Sequence, residues 1–301
     1  MTDIIAKLGF FVTNLTLLGH LGTPKNIFIK YRLYLQYNTP SMLLINGTTW
    51  IPVLIISAYF SPAAAGLYAI ANRVVNIPVA ALGNAISKTY MRKVAEDHAD
   101  NHIEKIQIYT KQLINVLFPL LLIPFSLLSV VGEPLFSIVL GDKWNDAGIL
   151  ASALSYLAMT TLLTQTFGGL FDVMSRQKMR LYFHICNFIV RIGGLYICIQ
   201  FEISLIETVI LYSIFSTCMN LVALQLLFSF IDKKELLANV IAQNLIQVLL
   251  FFLSAWLFNE LFESELTIFV ALLFVSFIWL WNIVCSNNKL KIKISRILSE
   301  F

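Results

Sequence analysis

Charge is what this chain lacks most. Of its 301 residues only 13% are Asp, Glu, Lys or Arg, against 58% that are apolar. A soluble domain carries roughly a quarter charged residues. The shortage excludes a water-soluble globule and, with a mean hydropathy of +0.79, implies an integral membrane protein. Cysteine is also scarce. Cys186, Cys198, Cys218 and Cys285 each lie inside an apolar run, without paired or metal-ligand spacing. Neither a disulfide framework nor a zinc site is expected. No Gly-rich phosphate loop is present, so the chain is expected to hydrolyse no ATP and to need no cofactor. The basic residues are spread over several loops instead of forming one patch, which argues against nucleic acid as a partner.

What the sequence has in abundance is apolar runs long enough to cross a bilayer. They fall at 4–21, 42–60, 64–87, 112–131, 147–171, 181–201, 205–230, 237–258 and 266–285. The fold class read from them is an all-α integral membrane protein, a bundle of about nine transmembrane helices. Charge placement supports the count. Every second connection is basic: Lys25, Lys30 and Arg32; then Lys88, Arg92, Lys93, Lys105 and Lys111; then Arg176, Lys178 and Arg180; then Lys233 and Lys234; finally Lys289, Lys291, Lys293 and Arg296. These segments hold 17 of the 21 Lys and Arg residues, whereas the intervening connections hold Lys143 alone among acidic residues. By the positive-inside rule they face the cytoplasm, which puts the C-terminus inside and Met1 outside. Residues 1–22 do not read as a signal peptide, because the start is not basic and Thr13 and Asn14 interrupt the apolar core. The first span reads instead as a helix whose preceding partners are missing, the chain being the C-terminal part of a longer transporter.

Several spans carry a polar or small stripe at helical spacing: Arg73, Asn76, Ala80, Gly83 and Ser87; Thr161, Gln165, Gly168 and Asp172; His184, Asn187, Arg191, Gly194 and Cys198; Asn239, Gln243 and Gln247. Small and amide residues also glue membrane helices together, which suffices for Gly168, Gly169, Gln243 and Gln247. The two arginines need more. A guanidinium at bilayer depth costs at least ~3 kcal/mol even on the lenient insertion scale, so it faces an interior, a partner or a ligand. Arg73 has no acidic residue in its own span, while Asp172 or Glu207 on neighbouring helices are candidate partners for Arg191. His184 and Asn187 read as interfacial residues. Pro52, Pro78, Pro119 and Pro124 favour bent helices. The segment 88–111 is mixed in charge and reads as a solvated cytoplasmic helix–turn connection, so its Glu96, Asp97 and His98 are not taken for a catalytic cluster.

The run GLYAIANRVVNIPVAALGNAISKTYMRKVAE at 66–96, followed by EPLFSIVLGDKWNDAGILASALS at 133–155, resembles bacterial polysaccharide flippases. These form the polysaccharide transporter branch of the MATE-like exporter superfamily. The resemblance implies a two-lobed transporter opening alternately to either side of the membrane. It implies that residues 1–41 are the last helix of a missing N-terminal lobe plus a cytoplasmic linker. Residues 42–230 would then be the six-helix second lobe, and 231–301 an additional two-helix pair with a basic tail.

The expected function is a flippase, not an enzyme, that carries polyprenyl-diphosphate-linked oligosaccharide across the cytoplasmic (inner) membrane for surface polysaccharide. Arg73, Asn76 and Arg191 are the candidate substrate-binding residues, the guanidiniums replacing the hydration of the diphosphate and the amide of Asn72 or Asn76 meeting sugars. Further partners would be the lipid bilayer and a separately encoded N-terminal lobe or glycan polymerase. The rivals are a multidrug exporter, which calls for acidic residues in the spans, a membrane glycan polymerase or ligase, and an inactive remnant. A polymerase or ligase needs a sizeable outer domain, and the longest outer loop expected here is about 132–146.

The topology has a direct check. In intact cells a membrane-impermeant thiol reagent should modify a cysteine placed at Asn145 or Glu263 and spare one at Asn101 or Asn288. The reverse pattern would invert the orientation.

Overall fold

The computed structural model describes residues 24–244, with side chains from residue 36 onward. The spans expected at 4–21 and 266–285, most of 237–258, and the basic tail lie outside the described residues. Between them stand six long helices: α1 (Pro24–Tyr59), α2 (Pro62–Ala99), α3 (Ile103–Leu140), α4 (Asn145–Phe167), α5 (Gln177–Gln200) and α6 (Leu205–Ser229). Each is long and apolar enough to cross a membrane. The six match the expected spans from 42–60 through 205–230. The count of nine extends beyond the described residues.

Tight connections set an up-and-down order. Ser61 caps α2, its hydroxyl accepting from the Ala64 amide at 3.0 Å, and Pro62 follows where a missing N–H costs nothing. Gly141 turns the chain after α3 at φ +93°, a backbone region closed to most side chains, and Asp142 accepts from the Ser137 hydroxyl at 2.6 Å. That turn accounts for the glycine in the LGDKW run. Ser204 and Glu207 form a reciprocal capping box at the start of α6.

Several boundaries differ from expectation. The linker expected at 22–41 is helical from Pro24, and the loop expected at 132–146 is helical to Leu140. Helix α2 runs 38 residues, roughly 57 Å at 1.5 Å per residue, well past a ~30 Å hydrocarbon core. A hydropathy scan ends a helix where polarity begins, whereas the backbone continues while it can make its own hydrogen bonds. Pro52, Pro78, Pro119 and Pro124 lie within continuous helices. The kink in α3 falls at Val131 (φ −108°, ψ 16°), three residues before Pro134.

Helix α4 is the centre of the bundle, with two thirds of its most apolar window buried. It packs on α2, α3 and α6, while α5 packs on α1 and α6, and α1 touches α2. The order α1–α2–α4–α6–α5 therefore closes a ring, and α3 braces α4 from behind. One end is locked by aromatics: Phe167 of α4 meets Tyr90 of α2 and Phe228 of α6 edge-on at 5.1 and 5.3 Å. Each such pair adds ~1 kcal/mol beyond contact area. The Tyr90 hydroxyl shares a 2.7 Å hydrogen bond with Thr110 of α3.

The α3–α4 crossing depends on two glycines. A Cβ on Gly148 would lie 2.6 Å from the Gly132 carbonyl oxygen and 2.7 Å from Glu133 Cα, both backbone atoms that cannot swing away. On α2, Gly66 faces open space. Gly148→Ala should therefore lower the melting temperature of the detergent-purified chain, by an overpacking cost of ~1–3 kcal/mol. Gly66→Ala should leave it unchanged or raise it, since alanine is the better helix former. Equal effects at the two positions would contradict this crossing.

Candidate functional site

The five-helix ring borders a half-open cavity of about 1080 Å³. Its walls come from α1 (Thr48, Trp50), α2 (Tyr68, Asn72, Arg73, Asn76, Ala80), α4 (Thr161, Gln165), α5 (Arg180, His184, Asn187, Arg191) and α6 (Tyr212, Asn220). No residue of α3 lines it. The volume is at the upper end for small-molecule sites, about 300–1,000 Å³. Cationic groups line it, and no Asp or Glu does among the described residues.

Two arginines reach the cavity from opposite parts of the ring. Arg73 is eleven residues past Pro62, roughly 16 Å along α2. Arg191 is nine residues before Gln200, roughly 14 Å from the neighbouring end of α5. The up-and-down order sets them at similar depth. Their surroundings differ sharply. Arg73 is exposed to the cavity, and among the described residues it has neither a hydrogen-bond nor an ion-pair partner. Arg191 is buried, 9% exposed. Its Nη2 donates to Asn220 Oδ1 at 2.6 Å and to the Ser216 carbonyl at 3.3 Å. Asn220 Nδ2 in turn donates to the Thr160 and Thr161 hydroxyls, each at 3.1 Å, and these donate to the carbonyls of Tyr156 and Leu157. Every link donates away from the guanidinium, so the carbonyl edge of Asn220 is held toward Arg191. Tyr68 and Tyr212 stand beside the same charge, and the Tyr212 hydroxyl donates to the Thr48 carbonyl at 3.0 Å. Through these bonds Arg191 joins α5 to α6, α4 and α1.

Neither acidic partner expected for Arg191 serves it. Asp172 accepts from Arg180 at 2.8 Å and from Asn38 at 3.2 Å, and Glu207 is engaged in the α6 capping box. Depth is responsible: Asp172 lies in the short helix Leu170–Val173 beside Arg180 at the start of α5, and Arg191 is eleven residues, roughly 16 Å, further along that helix. A buried cation is therefore stabilised by neutral dipoles alone, among the described residues.

The candidate residues Arg73, Asn76 and Arg191 all line the cavity. Asn76 is only partly available, since its Nδ2 donates to both the carbonyl and the side-chain oxygen of Asn72 at 2.8 Å. Of the remaining stripe residues, Ala80 and Ser87 line the wall, whereas Gly83 packs on Gln165 of α4. Asn187 and His184, read from sequence as interfacial, line the cavity one and two turns before Arg191 on α5. Tyr68, Tyr212 and Asn220 were not singled out. Tyr68, Asn72 and Asn76 repeat every fourth residue, which is a readable signal, but Asn220 is a single amide in an apolar run.

Residues 29–149 match a family model described as polysaccharide biosynthesis protein. The match takes in most of α1, all of α2 and α3 and the start of α4, so it includes Arg73 and Asn76 but not Arg191. No curated protein matches the chain, and no solved structure matches it. What stands is a multi-pass helical membrane protein with a cation-lined, half-open cavity, about two fifths of whose chain is similar to a polysaccharide-biosynthesis family.

Proposed function

We propose that this chain is a flippase for polyprenyl-diphosphate-linked oligosaccharide, moving it from the cytoplasmic to the outer leaflet of the cell membrane for surface polysaccharide. The observation that carries the reading is the free Arg73 guanidinium on the wall of a cavity with no lining carboxylate among the described residues. The similarity of residues 29–149 to a polysaccharide-biosynthesis family supports the choice of cargo. The physical obstacle to such transport is a diphosphate and its sugars in hydrocarbon, while the polyprenyl tail stays in lipid. A free guanidinium presents a planar fork that replaces phosphate hydration by paired, charge-assisted hydrogen bonds. Arg191 adds positive potential from behind, and a low-dielectric wall strengthens both. An exporter of cationic drugs is disfavoured, because the charges facing the cavity have the wrong sign for its cargo. The chain acts as a carrier and not an enzyme in this reading.

In cells whose surface polysaccharide depends on this protein, Arg73→Ala should cut export to below about a tenth at unchanged protein abundance, the loss of one charge-assisted bidentate contact. Arg73→Lys should recover part of it, keeping the charge without the fork. Full export by the alanine variant would return Arg73 to a packing role.

A further inference from the structure

The lining of the cavity is chemically divided. On the α2 side Arg73 offers a complete guanidinium with no competing partner. On the α5 side three residues at helical spacing each hold a buried polar atom without a partner: His184 Nδ1, Asn187 Oδ1 and Arg191 Nε. Asn187 is 6% exposed and Arg191 9%, so both are more than nine-tenths buried, yet both line the cavity. Polar atoms left unsatisfied at this burial are costly. Three on one face of one helix, bordering one cavity, call for a common partner that enters the cavity.

The partner's chemistry follows from what these groups need. An ionised phosphate oxygen only accepts hydrogen bonds. It suits Arg73 and the Arg191 Nε, but it does nothing for the Asn187 carbonyl, which needs a donor. The amide and the imidazole each carry one donating and one accepting edge, whichever way they are turned. A ligand that serves the whole row must both donate and accept within a few ångströms, as sugar hydroxyls do. Arg191 fits such a row better than a phosphate site, because its Nη2 is already committed to Asn220 and Ser216. It has no intact fork left to clamp a diphosphate.

We infer that the His184–Asn187–Arg191 face is a hydroxyl-reading subsite for the sugar, and that Arg73 across the cavity is the diphosphate subsite. This inference rests on the flippase reading and divides its ligand between two walls. It also shifts the sugar contact away from Asn76, whose amide hydrogens are spent on Asn72. Asn187 is the residue that distinguishes a glycosylated headgroup from a bare one.

The test uses the full 301-residue chain in lipid nanodiscs, titrated calorimetrically with two probes: farnesyl diphosphate, and the same diphosphate carrying N-acetylglucosamine. The wild type should bind the glycosylated probe about tenfold more tightly, the order of one or two hydrogen bonds. Asn187→Leu should abolish that preference while binding of farnesyl diphosphate stays unchanged, which also shows that the variant is folded. If the leucine variant unfolds, Asn187→Ser serves, and should narrow the preference with the bare probe unaffected. Arg73→Ala should weaken both probes by a similar factor. An equal loss of both probes on substitution of Asn187, or no preference in the wild type, would overturn the division of subsites and leave the flippase reading standing. Failure of the wild type to bind either probe would overturn both.

Discussion

A cation held at bilayer depth without a counter-anion is the constraint around which this fold is arranged. Arg191 is buried on α5, and an arginine there is expensive unless its hydrogens are taken up. The chain meets that requirement with neutral dipoles: the Asn220 amide, the Ser216 carbonyl, and behind Asn220 the hydroxyls of Thr160 and Thr161. Interhelical hydrogen bonds of this kind contribute ~0.6–2 kcal/mol each in membrane proteins. The chain of donors is directional and ends in helix carbonyls, so it fixes α4, α5 and α6 relative to one another. Had a carboxylate answered the arginine, the pair would be neutral. Because amides and hydroxyls answer it, the charge keeps its field, and that field reaches the cavity.

The ring of helices makes use of that field. Helix α4 at the centre and α3 behind it form a packed buttress, closed by Phe167, Tyr90 and Phe228 at one end and by the Gly132–Gly148 crossing at the other. Against this buttress α2 and α5 carry their polar faces into one space. The acidic residue nearest in sequence to the cavity, Asp172, is neutralised at its margin by Arg180 and tied to α1 through Asn38. The interior therefore keeps free guanidinium and imidazole groups and loses its nearest carboxylate. An anionic, hydroxyl-bearing ligand is what such an interior stabilises.

Much of the helical architecture was legible in the sequence, because bilayer-length apolar runs leave few alternatives to helices. The stripe with Arg73, Asn76 and Ala80 was legible too, since 3.6-residue spacing fixes which side chains share a face. What the sequence did not disclose was partnership across helices. Asp172 was a reasonable partner for Arg191 by span assignment, but it sits at the end of α5 that carries Arg180, about three turns from Arg191. Asn220 and Tyr212 sit in a helix that hydropathy treats as uniformly apolar, so their part in holding Arg191 emerged only from packing. His184 and Asn187 were undervalued for the opposite reason: closeness to a helix end says nothing about which way the helix faces. The continuation of α2 to Ala99 and the break before Ile103 agree with the helix–turn reading of 88–111.

The central claim is that the cavity holds a positive potential, and reactivity at its wall measures this most directly. Ala80 is exposed to the cavity on α2, one face with Arg73 and Asn76. With the native cysteines replaced by serine, a cysteine at Ala80 can be modified by anionic sulfonatoethyl and cationic trimethylammonioethyl methanethiosulfonate, each rate divided by that of a free thiol in solution. The account predicts that the anionic reagent is favoured at this position, and that the advantage shrinks when Arg73 is replaced by alanine. A cavity thiol that favours the cationic reagent would contradict it.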